Sequence, residues 1–180
     1  MEQFEFFWSG PFSQWHKANF DVSGMTFNCA EQFMMFCKAV LFGDYETAEE
    51  IVQETSPAKQ KGLGRKVKNF NADDWNKVAR KVVYVGNVCK FEQNDQLYNI
   101  IMATNGRTIV EASPHDIIWG IGLSELDDRS KQRETWRGKN WLGEVLTRVR
   151  NDIRFNEVDR SLFDIIVNII TNYDEWLKSR

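Results

Sequence analysis

Glu31 and Lys38 stand seven residues apart in FNCAEQFMMFCKA, Phe27 to Ala39, a stretch that is otherwise almost wholly apolar. On a helix of about 3.6 residues per turn that step is nearly two whole turns, so the two charges share a face roughly 10 Å apart along the axis. Such a carboxylate and ammonium are too distant for a tight ion pair but can bracket a small polar ligand, with Met34 and Met35 as its floor. A helix that is apolar in its other directions is normally buried. A buried charge is costly unless it is paired, neutralised or in use. Each residue also has a structural reading. Behind an Asn28 N-cap, Glu31 occupies the third helical position and can reach back in a capping box; Lys38, near the helix end, can snorkel and complement the dipole.

A second group lies in VEASPHDIIWGIGL, where Asp116 follows Ser113 and Pro114 and precedes Trp119, Gly120 and Gly122. The glycines let backbone amides approach an anion or a sugar closely, and Trp119 supplies a flat apolar wall. The competing reading is an Asx turn beside a core tryptophan. The segment KGLGRKVKNF gathers Lys61, Arg65, Lys66 and Lys68 around two glycines, which suits either a phosphate or a solvated loop. Ser9 closes an aromatic run into a turn, and FSQW, ending at Trp15, can stack on a base or sugar or fill a core. His16 and His115 each lack acid or thiol partners nearby in sequence, although His115 beside Asp116 can line a pocket. GxxxxGK[ST], HExxH, GxSxG and EF-hand spacings are all absent.

The elements that must position these residues are mostly helices. Phe4 to Trp8 reads as a strand running into the Ser9-Gly10-Pro11 turn, and Thr26 and Phe27 as a second short strand. Asn28 caps the helix bearing Glu31, which runs to about Phe42 and stops at Gly43. Asp44 caps a helix ending near Ser56 and Pro57, and a short helical turn follows. Asn71 opens a long helix to Phe91 with apolar residues at i, i+3 and i+4, and Asp95 to about Thr104 forms another. Thr108 to Ala112 is a strand, Pro114 to Asn140 a polar, Gly-containing stretch too long for an ordinary connection, of the kind that is often functional in compact domains, Trp141 to Phe155 a helix, and Ser161 to Leu177 a last helix capped by Asp159 or Ser161. The fold class is mainly α: one multihelical domain over residues 1–180 with a few short β-strands.

Composition bounds the rest. The chain has 180 residues, 42% hydrophobic and 13% aromatic, with a net charge of −3 from intermixed acids and bases. That is enough for a real core, and it argues against binding nucleic acid through bulk counterion release. Cys29, Cys37 and Cys89 are odd in number, set in apolar surroundings and without CxxC spacing, so they read as reduced core residues. The start lacks the pattern of a signal peptide and no stretch suits a membrane span, so the cytosol is the expected compartment. No metal ligand cluster and no cofactor signature are visible.

Assembled, the motifs resemble the NADAR family, the YbiA-like N-glycosidases. The resemblance rests on FWSGPFSQW, MTFNCAEQFMMFCKAVLFGD, SPAKQKGLGRKV, KFEQN, IVEASPHDIIWGIGL and WRGKNWLGEVLTRVR, which occur in family order. It covers about residues 6–150 and leaves a C-terminal helix at about 158–178 as an addition. Trp141 departs from the pattern, which usually has Leu or another side chain there.

The resemblance implies a mainly α, YbiA-like fold and hydrolysis of an N-glycosidic bond between a (phospho)ribose or ADP-ribose and an amine or base, in riboflavin-pathway intermediates or ADP-ribosylated guanine. The family's catalytic glutamate falls on Glu31, and its motif positions also fall on Lys38, Asp116, Trp119 and Asn140. The expected set is Glu31, Asp116 and Lys38 for catalysis, with Trp119, Gly120, Asn140, Ser9, Trp15 and Arg65 for substrate. Expected partners are a ribosyl or ADP-ribosyl small molecule and ADP-ribosylated nucleic acid, with no cofactor, metal or membrane, and the chain is a monomer or homodimer. The alternative is a module that binds ADP-ribose or a related nucleotide without cleaving it.

Overall fold

The structure, a computed structural model, describes residues 2–180. Its elements are β1 (Phe4–Phe7), β2 (Phe20–Val22), β3 (Met25–Phe27), α1 (Ala30–Leu41), α2 (Tyr45–Gln53), α3 (Pro57–Gly64), α4 (Ala72–Glu92), α5 (Asp95–Met102), β4 (Thr108–Glu111), α6 (Trp141–Phe155) and α7 (Phe163–Lys178), with short 3₁₀ turns at 128–131, 133–135 and 160–162. The fold is mainly α. The chain divides into two compact units: residues 17–94 with 159–180, and residues up to 16 with 95–158. Among the described residues, no helix is long and apolar enough to cross a membrane.

In the unit formed by 17–94 and 159–180, α1 is the central element and packs against α2, α3, α4 and α7. Its apolar residues explain this position. Phe33 and Phe36 are fully buried and interlock with Phe20 and Phe27 from a hairpin in which β2 pairs antiparallel with β3. The hairpin is more than the two-residue strand expected from Thr26 and Phe27, because Ser23 and Gly24 both adopt positive φ and return the chain on itself. In α4, Gly86 lies under the Phe33 ring, where an added Cβ would press into the aromatic carbons. Pro57 opens α3 at a position where a missing N–H costs nothing, giving eight helical residues instead of a single turn.

Three helix starts differ in outcome. Asp44 and Asn71 cap α2 and α4 as their types require, accepting from Thr47 N at 3.4 Å and Asp74 N at 3.0 Å. For α1 the N-cap is Cys29, not Asn28, which shifts Glu31 out of the capping-box position. For α7, neither Asp159 nor Ser161 caps the helix. Ser161 Oγ donates instead to Asp159 Oδ1, and a 3₁₀ turn leads into Phe163. The apolar face of α7, Ile166, Ile169, Ile170 and Tyr173, is buried within the chain.

In the unit formed by the N-terminus and 95–158, β1 pairs in parallel with β4, Phe4 opposite Thr108 through Phe7 opposite Glu111. The α6 helix packs on β4 through Gly143, whose added Cβ would lie inside van der Waals contact of both the Ile109 carbonyl oxygen and the Asn140 side chain. The connection from Pro114 to Asn140 is stitched to itself: Arg137 N and Gly138 N donate to Ile121 O, Lys139 N to Ile117 O and Asn140 N to Gly120 O. These bonds satisfy backbone that a loop would otherwise leave to water. Because a backbone oxygen cannot retreat from an added methyl, Gly143→Ala should destabilise the protein by about 3 kcal/mol. Urea unfolding monitored by circular dichroism would measure the fall in midpoint.

Candidate functional site

The first turn of α1 is held by a knot of side-chain amides. Gln32, buried, accepts from the Asn28 backbone N–H at 2.7 Å through Oε1, while its Nε2 donates to the carbonyls of Ile51, Val52 and Glu54. Gln60, fully buried in α3, donates to Asn28 Oδ1 and to Glu54 O and accepts from Cys29 Sγ at 3.2 Å. The carbonyls left over where α2 ends thus receive donors from α1 and α3. Gln32 performs the reach back to the residue before the cap. Glu31, 5% exposed, stands at the second helical position rather than the third.

At the other end of the same face, Lys38 Nζ donates to Gly64 O at 2.7 Å and lies 4.0 Å above the Phe70 ring. Gly64 is the last residue of α3, so the ammonium meets the negative end of that helix. Burial pulls the Lys38 pKa below the ordinary lysine value, and the Glu31 charge partly counters it. The two groups sense one another across two turns, as their spacing predicts. Met34 and Met35 are buried beside them, and an added Cβ at Gly64 would run into the Met35 thioether. Arg65, next in the chain, is the exposed C-cap of α3.

Lys90, which is not among the expected site residues, lies on α4, the helix that packs against α1. It is fully buried in α4, and burial pulls its pKa down to about 7, opposed by the field of Cys29. Cys29 in turn feels both Glu31 and Lys90, and burial raises its thiol pKa. The available signal was a lone lysine at the end of VVYVGNVCKF, a run as apolar as α1 itself.

The remaining candidates belong to the other unit. Asp116 Oδ1 accepts from Ile118 N at 2.9 Å and Trp119 N at 2.7 Å, an Asx turn that presents Trp119 edge-on to Trp141, centroids 5.7 Å apart. Gly120 is buried, with the Glu111 and Asp116 carbonyls so close that a side chain would strain them. Asn140 is fully buried in the left-handed region, φ 52°. Its Oδ1 accepts from Glu111 N and its Nδ2 donates to Ile109 O, so its amide pairs with β4 as a neighbouring strand would. Ser9 and Trp15 are exposed, Trp15 at 44%, and the exposed His115 packs against Trp8 at 6.5 Å. The structure thus brings Glu31 and Lys38 together on one helix, with Arg65 beside the Lys38 acceptor, and brings Asp116, Trp119, Gly120 and Asn140 together around one folded turn. Among the described residues, no group of three His, Cys, Asp or Glu side chains could hold a metal ion.

Residues 6–154 match the family model of the NADAR domain. The chain belongs to the NADAR family. Protein irg-1 of Caenorhabditis elegans is 44% identical over 131 residues, covering 72% of this chain, and the chain spans 62% of the length of that relative. N-glycosidase R617 of Acanthamoeba polyphaga mimivirus is 43% identical over 146 residues, 78% of this chain and 86% of that protein. The NMR structure of Escherichia coli YbiA superposes with a TM-score of 0.71 at 25% identity, covering 88% of this chain and 90% of that one. In this NADAR protein α7 lies beyond the matched residues.

The buried lysine gives a signed pH dependence. Below pH 7 Lys90 is protonated whether the chain is folded or not, and its burial penalty is constant. Above about 7 the unfolded chain, whose lysines titrate near 10.4, retains the proton that the folded chain has lost. Stability should therefore rise between pH 7 and about 8.5, with a slope of at most about 1.4 kcal/mol per pH unit. Beyond about 8.5 the buried thiols oppose the rise, because the unfolded chain ionises them first. Lys90→Met should flatten the slope, as read from urea midpoints taken across that window.

Proposed function

We propose that the protein is an N-glycosidase that hydrolyses the bond between a ribose-type sugar and an amine or base, the sugar being a (phospho)ribose or ADP-ribose. Its substrate class on this reading is ADP-ribosylated guanine or riboflavin-pathway intermediates. The observation that carries the reading is the Glu31 carboxyl, buried in the first turn of α1 and electrostatically joined to the Lys38 amine on the same face. A relative of 43% identity bears the name N-glycosidase, which supports the same reaction class.

In the proposed reaction the C1′–N bond breaks with its electron pair leaving on nitrogen, and positive charge develops over C1′ and the ring oxygen. A fixed carboxylate in a water-poor setting stabilises that charge better than bulk water would, because it needs no reorganisation as the bond stretches. Glu31 takes this part. Water then adds to C1′, and the proton it releases balances the one acquired by the leaving nitrogen. Lys38, held at the negative end of α3, offers its ammonium to ribose hydroxyls or phosphate. Its lowered pKa also increases the share of neutral amine, which can attack C1′ of the ring-opened glycosylamine, an imine, and release the amine or base; water then hydrolyses the resulting Lys38 Schiff base to the free sugar and the lysine. Asp116 holds the turn that presents Trp119 and Gly120, and on this reading its carboxylate serves proton transfer for a substrate bound at that turn. Ser9, Trp15 and Arg65 are surface groups for base, sugar or phosphate, and Asn140 positions the turn through β4.

Glu31→Gln should leave the fold intact and lower turnover by roughly 10² to 10⁴. The test incubates wild type and variant with riboflavin intermediates, ADP-ribose derivatives and ADP-ribosylated DNA, and quantifies released base and free sugar. Full turnover by the folded variant would remove Glu31 from the chemistry. Binding without base release by the wild type would identify a nucleotide-binding module instead. In the same assay Asp116→Asn should cut turnover more than it lowers the melting temperature.

A further inference from the structure

The face of α1 opposite Glu31 and Lys38 is covered by a helix that lies outside the family match. At about 100° per residue, Phe36 points roughly 140° away from Glu31 around the helix. It meets Tyr173 of α7, ring centroids 5.0 Å apart and nearly perpendicular. Both side chains are buried. The same part of α7 grips α2: Trp176 stacks between Tyr173 at 5.7 Å and Tyr45 at 5.5 Å, and Arg180 lies over Trp176 and pairs with Glu49 at 2.6 Å. Thus α7 holds α1 and α2 from behind. In front, Gln32 ties the first turn of α1 to the end of α2, and Lys38 ties its last turn to the end of α3.

We propose that Tyr173, supported by Trp176, is a positioning residue for the reaction: through Phe36 it fixes the seat of α1, and so the placement of Glu31 and the Lys38 amine. The inference rests on the N-glycosidase reading for its kinetic test but makes a separate structural claim. Apolar contact alone would stabilise the unit; a perpendicular ring pair directly behind the charged face also restricts how α1 can roll or slide. Displacements of about 1 Å far from the reacting atoms can cost on the order of 10²-fold in rate.

The experiment compares wild type, Tyr173→Ala and Tyr173→Phe in the full chain, at a temperature where circular dichroism shows each to be folded. Tyr173→Ala should lower kcat about tenfold while KM changes less than twofold, and Tyr173→Phe, which keeps the ring, should retain at least half of the wild-type kcat. If Tyr173→Ala does not fold, Trp176→Ala takes its place with the same expected split. The Lys38 amine is titrated in parallel by NMR after reductive ¹³C-methylation. Slackening of α1 against α3 should move its pKa up, toward that of an ordinary lysine. That readout stands even if the wild type cleaves nothing, in which case the N-glycosidase reading fails and the positioning claim is judged on the titration alone. A folded alanine variant with unchanged kcat and unchanged Lys38 titration overturns the proposal, as does a phenylalanine variant as impaired as the alanine one.

Discussion

The amide knot at the start of α1 is the constraint on which the candidate chemistry depends. Helix termini leave carbonyls and amides without partners, and a terminus inside a protein must find them. Here the end of α2 and the start of α1 satisfy each other through Gln32, Gln60 and Asn28, with the Glu54 carbonyl receiving donors from all three. Two glutamines that are almost fully buried therefore fix where α1 begins and how it faces α2 and α3. With Cys29 as the N-cap, Glu31 takes the second helical position and Gln32 the third.

The charges on α1 sit where burial changes their chemistry without stranding them. Lys38 loses hydration but gains the terminal carbonyl of α3, a ring face and the field of Glu31. Its environment favours the neutral amine more than water does, while a residual attraction keeps the ammonium within reach. Lys90 follows the same rule more strongly, with full burial dominating. A pair of depressed lysines around one helix is an expensive arrangement in a small protein, and it suits a helix that serves more than packing.

The second unit uses different means to a related end. Its parallel pair β1–β4 is only two strands wide, and the outer edge of β4 is completed by the side chain of Asn140 rather than by another strand. Gly143 allows α6 to approach that edge closely. The segment between β4 and α6 then folds on backbone hydrogen bonds, with the Asp116 carboxylate setting the turn that carries Trp119 and Gly120. Main-chain pairing acts there together with a small apolar cluster, in which Ile121 and Leu123 of the segment join Val110 and Ala112 beneath Phe4, Phe6 and Trp136.

Much of the framework was legible in the sequence because it follows from local rules. The apolar runs of α1 and α4, the caps Asp44 and Asn71, the stop at Gly43 and the strands at Phe4 and Thr108 arise from periodicity and backbone chemistry within a few residues. The shared face of Glu31 and Lys38 needed nothing beyond helical spacing, and the ordered sequence of motifs was enough to point to the family. What stayed hidden depends on residues distant in the chain. Whether Asn28 or Cys29 caps α1 turns on where Gln32 finds carbonyls about twenty residues on, and spacing alone cannot weigh that competition. The acceptor of Lys38, the strand-like part of Asn140 and the brace of α7 behind Phe36 were likewise decided only by tertiary packing, since a hydrogen bond or ring contact is set by which surfaces meet and not by their order along the chain.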